Sequence, residues 1–538
     1  MQIYCFSPFG YEGSLVSVEV DLRRGIPAVD IVGLADSAVK ESRERMRCAI
    51  NNSGLAFPPE RVLINLSPAD LKKEGAGFDL AIALAVLSAK EKLERDETAF
   101  DVEKMEAEGA VQAGTFWAPD DDSILVMGEL ELNGKVRPVR AIHAAVSTAK
   151  ASGISMCIVP MANADEAREV EGMKVFGAED ITEAFSALFN PEAFTPAEGS
   201  EDFHDNVEGA VSVGGILFPP VDDENDFKYV AGQESLVRGL QIAAAGGHNV
   251  IAFGPPGCGK TLSMMRFNSI LPCLTKEESA SVTRIYSIAG LMQPGQNSMR
   301  RVPVRMPHQT ASVEGICGGG PHCYPGEISL AHNGVLFLDE AAEFRSTVLQ
   351  MLRVPLESGS ITLSRAGRST VFPARFQLLI STNPCPCGNY GSNEKICLCS
   401  SRAVEQYWRK FSGPLLDRID IRIQVESKSL KDGATGISSA RLREKIAAAV
   451  MTQRKRQGKK NVYLTPPEVA EFCVLTEDAR MMLDKAASRY ELSPRAISGC
   501  LKLSRTIADM EGKKEIDVVS VEEAVKYRKP QGAMDVMK

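Results

Sequence analysis

Eight consecutive residues, Gly254, Pro255, Pro256, Gly257, Cys258, Gly259, Lys260 and Thr261, have the spacing of a loop that cradles phosphate. Glycine lets successive backbone N–H groups turn toward an anion. The lysine can reach the β- and γ-phosphates, and the hydroxyl that follows can ligate Mg2+. The apolar run Ile251-Ala-Phe253 and the helix-forming residues 262–267 predict the strand–loop–helix frame that this chemistry requires. Farther on, Gly334-Val-Leu-Phe-Leu-Asp-Glu340 reads as a buried strand ending in two carboxylates. Asp339 would hold Mg2+, directly or through water, and Glu340 would polarise the attacking water as general base. An acidic pair there also suits a helix N-cap, but the phosphate loop favours the catalytic role. A third strand, Phe376-Gln-Leu-Leu-Ile-Ser-Thr-Asn383, ends in Asn383, which could orient that water or sense the γ-phosphate. The plainer alternative is a turn asparagine before Pro384. ATP and Mg2+ are the expected ligands, and hydrolysis the expected reaction.

Directly after Asn383, Cys385, Cys387, Cys397 and Cys399 crowd into a short window. Two C-x-C pairs could gather four thiolates round one Zn2+. Such a closed tetrahedron leaves no open position, so the metal would be structural. Reduced, metal-free cysteines in a loop are the alternative. Cys317, His322 and Cys323 form a looser group that does not read as a site.

Positioning these groups takes several domains, because 538 residues exceed what one core accommodates. Residues 1–190 mix strand-like and helix-like runs, as in an α/β or α+β domain, with an acidic, weakly periodic insertion at 94–122. Residues 191–225, rich in Pro, Gly, Glu and Asp, read as a linker. In 226–426 short apolar strands alternate with helical patterns, predicting a parallel sheet covered by helices. Residues 427–538 are dominated by periodic helical segments and read as a helical lid. The formal net charge of −9 argues against bulk attraction to nucleic acid, though local basic patches can still form. Without a membrane-length apolar run or a charged leader, and with 13 mostly scattered cysteines, a soluble cytoplasmic protein is expected.

The order Gly232-Gln-Glu234, phosphate loop, Asp339-Glu340, Asn383, Leu415-Leu-Asp-Arg-Ile-Asp420 and Leu492-Ser-Pro-Arg495 resembles an AAA+ ATPase. Tyr324-Pro-Gly-Glu-Ile-Ser-Leu-Ala-His332, Phe372-Pro-Ala-Arg-Phe-Gln377, Asn383-Pro-Cys-Pro-Cys-Gly388 and Ser412-Gly-Pro-Leu-Leu-Asp-Arg-Ile-Asp420 narrow this. They resemble the magnesium-chelatase-like family of ComM and YifB, from near residue 1 to about residue 530. The resemblance implies a homo-oligomeric ring, usually a hexamer, with active sites between subunits. It implies that Arg418 is a trans-acting arginine finger neutralising charge on a neighbour's γ-phosphate. A surface pair of Arg418 with Asp417 or Asp420 is the bland alternative. Arg495 matches the second sensor of the lid, with Arg505 a competing candidate.

Gly33-Leu-Ala-Asp-Ser-Ala-Val-Lys-Glu-Ser42, residues 65–75 and Gly128-Glu-Leu-Glu-Leu-Asn-Gly-Lys-Val-Arg-Pro-Val139 resemble the domain shared with Lon proteases. The serine expected near residues 75–79 is absent, and His143-Ala-Ala-Val stands where the lysine base is expected, so peptidase activity is not expected. Candidate substrate-gripping segments are Met299-Arg-Arg-Val-Pro-Val-Arg305, a hairpin over residues 360–368 and the basic run Arg454-Lys-Arg-Gln-Gly-Lys-Lys460. The last reads equally well as a solvated helix end. Because the family is implicated in DNA branch migration during natural transformation, the resemblance implies a DNA helicase or translocase acting on single-stranded or branched DNA. A protein-remodelling or chelatase-like ATPase without DNA activity is the alternative.

Overall fold

Every second residue of Arg61–Ser67 is buried, with Val62, Ile64 and Leu66 facing one core, and this alternation marks the first of two large sheets. The computed structural model describes residues 2–73, 75–106, 123–196, 207, 209–292, 298–365, 368–390, 395–426 and 435–529. The first sheet has eight strands. Their spatial order is Thr195–Pro196, Lys174–Ala178, Met156–Pro160, Ser123–Val126, Gln2–Ser7, Ser14–Arg23, Arg61–Ser67 and Val29–Val32. Helices Ser37–Asn52 and Asp79–Glu106 pack against it. The second helix runs on into the acidic insertion, whose Ala, Glu, Lys and Met residues are good helix formers. Residues 107–122 of that insertion lie outside the described residues.

In the second sheet the runs Val250–Phe253, Val335–Leu338 and Gln377–Thr382 are buried at every position, as strands covered on both faces must be. Five parallel strands follow in the order Val304–Arg305, Val335–Leu338, Gln377–Thr382, Val250–Phe253 and Ile421–Gln424. On one face Phe253 meets Trp408 edge-on, with ring centroids 5.3 Å apart. On the other, Leu240, Ile446, Val450, Leu503 and Ile507 form one apolar cluster with Val250 and Ile421. Helices Ser439–Gln457 and Pro494–Met510 therefore share their core with the sheet.

The stretch 191–225 is more than a connector. Thr195–Pro196 adds an edge strand to the first sheet, and the pair Val211–Val213 and Ile216–Phe218 sends Ile216 and Phe218 into the second core. Its polar composition hid several buried side chains, Phe194 among them. The N-terminal domain docks on helix Lys276–Ala289, where the buried Glu166 carboxylate accepts from the His143 N–H (3.0 Å) and from Ser287 Oγ (2.5 Å).

Candidate functional site

Parallel strands deliver whatever follows them to one edge, so the register decides which groups meet. Phe253 lies beside Thr382, and Leu338 beside Ile380. Gly254, Asp339 and Asn383 therefore emerge together. Gly254 has to be glycine, since a Cβ there would sit 2.1 Å from the Val425 carbonyl oxygen. Gly257 and Gly259 hold left-handed conformations, at φ +80° and +82°, that other residues adopt at a cost. Gln233 Nε2 braces the loop by donating to the Cys258 carbonyl (3.0 Å) and the Glu426 carbonyl (3.2 Å).

Lys260 is buried within the loop and donates to the Gly254 and Pro255 carbonyls at 2.7 and 2.8 Å. Burial holds its ammonium below the usual lysine range. Asp339 Oδ1 accepts from Thr261 Oγ1 at 2.9 Å and from Ser381 Oγ. Hydroxyl and carboxylate thus share one point, the donor set that a hard cation such as Mg2+ takes. Glu340, exposed and left-handed at φ 47°, has no side-chain partner among the described residues. Such backbone is sparsely populated and costs on the order of 1–3 kcal/mol. Asn383 makes no side-chain hydrogen bond among the described residues and stands half-buried at the same edge.

Arg418 and Arg495 are elsewhere. Val250 pairs with Ile421 and Phe253 with Gln424, so the residues before Ile421 lie where the strands begin. The Arg418 carbonyl there accepts from Asn249 Nδ2 at 3.0 Å. A strand rise of about 3.3 Å per residue separates this end from the phosphate loop by about 13 Å. The Arg418 guanidinium donates to the Pro414 carbonyl (2.7 Å) and to Glu357, whose other oxygen lies 3.5 Å from Arg495 Nη1. The two guanidiniums hold the Glu357 carboxyl below its usual range. A cavity of about 440 Å3 opens here, and Arg375, Lys459 and Lys502 also line it.

Asp417 and Asp420 leave Arg418 alone and face Arg528. This buried arginine of helix Val518–Arg528 donates to the Ile419 carbonyl at 2.7 Å. His248 bridges Asp420 (3.4 Å) and Thr506 (2.8 Å). Burial works against the Asp420 carboxylate, yet His248 and Arg528 hold it below the usual range. Arg505 is buried against Asp509 (3.0 Å) and the carbonyls of Lys513 and Lys514, which ties it into the lid core.

The segments expected to grip a substrate are largely occupied. Arg300 meets Glu169, and Arg305 forms a two-pronged pair with Glu327 at 2.6 and 2.8 Å. The expected hairpin forms from Ser360–Arg365 and Arg368–Pro373, but the Arg368 guanidinium lies 3.6 Å over the Phe9 ring. In the basic run Arg456 grips Asp509 and Lys459 meets Glu468, while Arg454 and Lys455 stay exposed. Sequence spacing could not show these partners, because each lies far along the chain or beyond a turn. At the Lon-like positions Asp79 is bound to Arg45 at 2.7 Å and His143 is buried.

The four clustered cysteines do converge. The sulfurs of Cys385, Cys387 and Cys397 lie 3.4–3.7 Å apart, and with Cys399 all four fall within 4.8 Å. Zn–S bonds of about 2.3 Å in a tetrahedron require sulfurs about 3.8 Å apart, so the set fits zinc. The cluster abuts the phosphate loop: a Cβ on Gly388 would meet Pro256 Cδ at 2.9 Å. Sequence reasoning passed over Ser381, Gln233 as a brace and Glu357. Glu357 stands in a four-residue helix, Pro355–Ser358, with no motif round it.

Residues 226–432 match the family described as magnesium chelatase, subunit ChlI, and residues 436–528 its C-terminal part. A further match to subunit ChlI of Mg-chelatase covers 18–119 and 110–163. The chain is 37% identical to YifB of Escherichia coli (strain K12), over 98% of this chain and 96% of that protein. It is 36% identical to the competence protein ComM of Haemophilus influenzae, over 98% and 97%. Lon protease 2 of Bacillus subtilis is 26% identical over 43% of this chain and 46% of its own. No helix among the described residues is long and apolar enough to cross a membrane. A phosphate loop on a five-stranded parallel sheet, a helical C-terminal region and a Lon-like mixed α/β region accompany this near full-length identity: the chain belongs to the magnesium-chelatase-like AAA+ ATPase family of ComM and YifB.

Proposed function

We propose that the chain is an ATP-hydrolysing ring motor that completes each active site from two copies and acts on DNA, in recombination or natural transformation. The separation of its charged groups carries the reading: Lys260, Thr261, Asp339 and Glu340 stand at one end of a sheet whose other end bears Arg418 and Arg495. A guanidinium whose backbone lies a strand's length, about 13 Å, from its own phosphate loop is placed to serve a neighbour's site. Bound Mg2+ would supply charge neutralisation at the phosphates, held by Thr261 and Asp339. Lys260 leaves the loop carbonyls for phosphate oxygens, Glu340 takes a proton from the attacking water, and Asn383 orients that water. Arg418, with Arg495 beside it, stabilises the charge that grows as the phosphoryl group departs. A closed ring, a hexamer by family resemblance, satisfies every such contact.

DNA as the substrate is favoured by the relative named a competence protein and by exposed Arg454 and Lys455. ATP turnover measured with single-stranded, forked and duplex DNA at two salt concentrations tests this. Stimulation by forked or single-stranded DNA that weakens with salt is expected. Stimulation by a protein partner alone would instead favour a remodelling ATPase. Zn2+ on Cys385, Cys387, Cys397 and Cys399 completes the cofactor set as a closed structural site. About one zinc per chain is expected on metal analysis, and none after serine replaces all four cysteines.

A further inference from the structure

Two small apolar patches stand at opposite ends of the parallel sheet without cover from the described residues of this chain. Ile396 and Leu398, interleaved with Cys397 and Cys399, are 83% and 89% exposed. Large aliphatic side chains at that exposure, on a loop whose neighbouring sulfurs are gathered to one point, are held out toward solvent by the very residues that anchor it. This loop belongs to the phosphate end, since Gly388 packs on Pro256 and Cys385 follows Asn383 by two residues. Met351 and Val354, 47% and 66% exposed, precede the helix that presents Glu357 to Arg418, and so belong to the arginine end.

We infer that Ile396 and Leu398 of one copy dock on Met351 and Val354 of the next, making the thiolate loop an assembly element of the shared site. The inference rests on the reading that sites are completed between copies. In a head-to-tail contact the phosphate end of one subunit must face the arginine end of the next. Bringing Arg418 to a neighbour's phosphate loop carries Val354, three residues from Glu357, into the same seam. The seam then holds a charged centre, where guanidinium meets phosphate, beside an apolar contact that excludes water from it. Metal bound by the four thiolates fixes where the apolar tip points.

The test replaces Leu398 by the photo-crosslinker p-benzoylphenylalanine in the full chain. Illumination follows in a mixture of light and nitrogen-15-labelled copies with Mg2+ and a slowly hydrolysed ATP analogue. Crosslinks joining labelled to unlabelled chains within residues 346–358 are expected, and Val354→Asp should remove them. Ile396→Ser with Leu398→Ser, both at exposed positions, should weaken self-association roughly ten- to a hundred-fold in sedimentation while each chain still binds nucleotide. Crosslinks that stay within one chain, or fall elsewhere in a chain that does assemble, overturn the contact and leave the shared site standing. A chain that remains monomeric with nucleotide overturns both.

Discussion

At the phosphate end of the parallel sheet the chemical groups follow directly from three adjacent strands. At the other end they come from a loop, a lid helix and a four-residue turn of helix joined through one carboxylate. The first arrangement is local and rigid, with each group placed by strand register and by glycines that permit close approach. The second gathers like charges, Arg418 and Arg495, that repel until an anion lies between them. Glu357 fills that role within the subunit. Under the shared site proposed above, such an end is prepared for a neighbour's phosphate. On the function proposed above, one fold would keep nucleotide binding in a single chain and reserve hydrolysis for an assembly.

The contrast breaks most visibly at Lys260. Lys260→Ala should reduce ATP turnover to background, on the order of a thousand-fold or more, as a steady-state phosphate-release assay would read. Arg418→Ala should cost about as much, on the order of 10³-fold, without loss of nucleotide binding. Mixing it one to one with Lys260→Ala should restore about a quarter of the wild-type rate, because intact loops then meet intact arginines. No recovery would mean that both ends serve a single chain. Glu340→Gln should slow turnover about 10²- to 10⁴-fold while retaining ATP, seen as bound nucleotide after gel filtration.

A smaller effect separates the ends by pH. His332, buried just before strand Val335–Leu338, accepts the Arg375 N–H at Nδ1 (3.1 Å) and bonds Ser281 through Nε2 (3.1 Å). Burial pushes its imidazole down to about 4. An unfolded imidazole protonates near 6.5, so between about 6.5 and about 4 the unfolded chain binds the extra proton. Stability should therefore fall as pH drops through that window, by at most about 3–4 kcal/mol from this group, and level off below it. Urea unfolding midpoints followed across the window should show the slope, and His332→Gln should reduce it, leaving the share of His143, which burial likewise holds at about 4.

Much of the phosphate end was legible because its signal is contiguous: eight residues spell the loop, and apolar runs with polar last residues mark the strands. Position along parallel strands then follows from topology alone. The arginine end offered less. Arg418 and Arg495 carry motif context, but Glu357 is a lone carboxylate whose importance depends on a contact spanning 61 residues. Likewise Arg305, Arg368 and Arg456 read as spare positive charge, until folding supplies Glu327, the Phe9 ring and Asp509. Ile216 and Phe218 were hidden by polar surroundings, although the short apolar run Ile216-Leu-Phe218 was a faint strand signal. What sequence withholds is pairing across distance, and charges change meaning with their partners.

Arg528 gives this asymmetry an order in time. Its bond to the Ile419 carbonyl joins positions 109 residues apart, and Thr506 reaches His248 across 258. The chemical groups of the phosphate end, by contrast, all lie between residues 254 and 383. During synthesis, N-terminal segments are free to fold before later ones exist. Contacts of such long separation also form slowly. The loop that bears Arg418 thus receives the support of Arg528 only when helix Val518–Arg528 has left the ribosome. The arginine end is completed after the strands that carry the phosphate loop have been made.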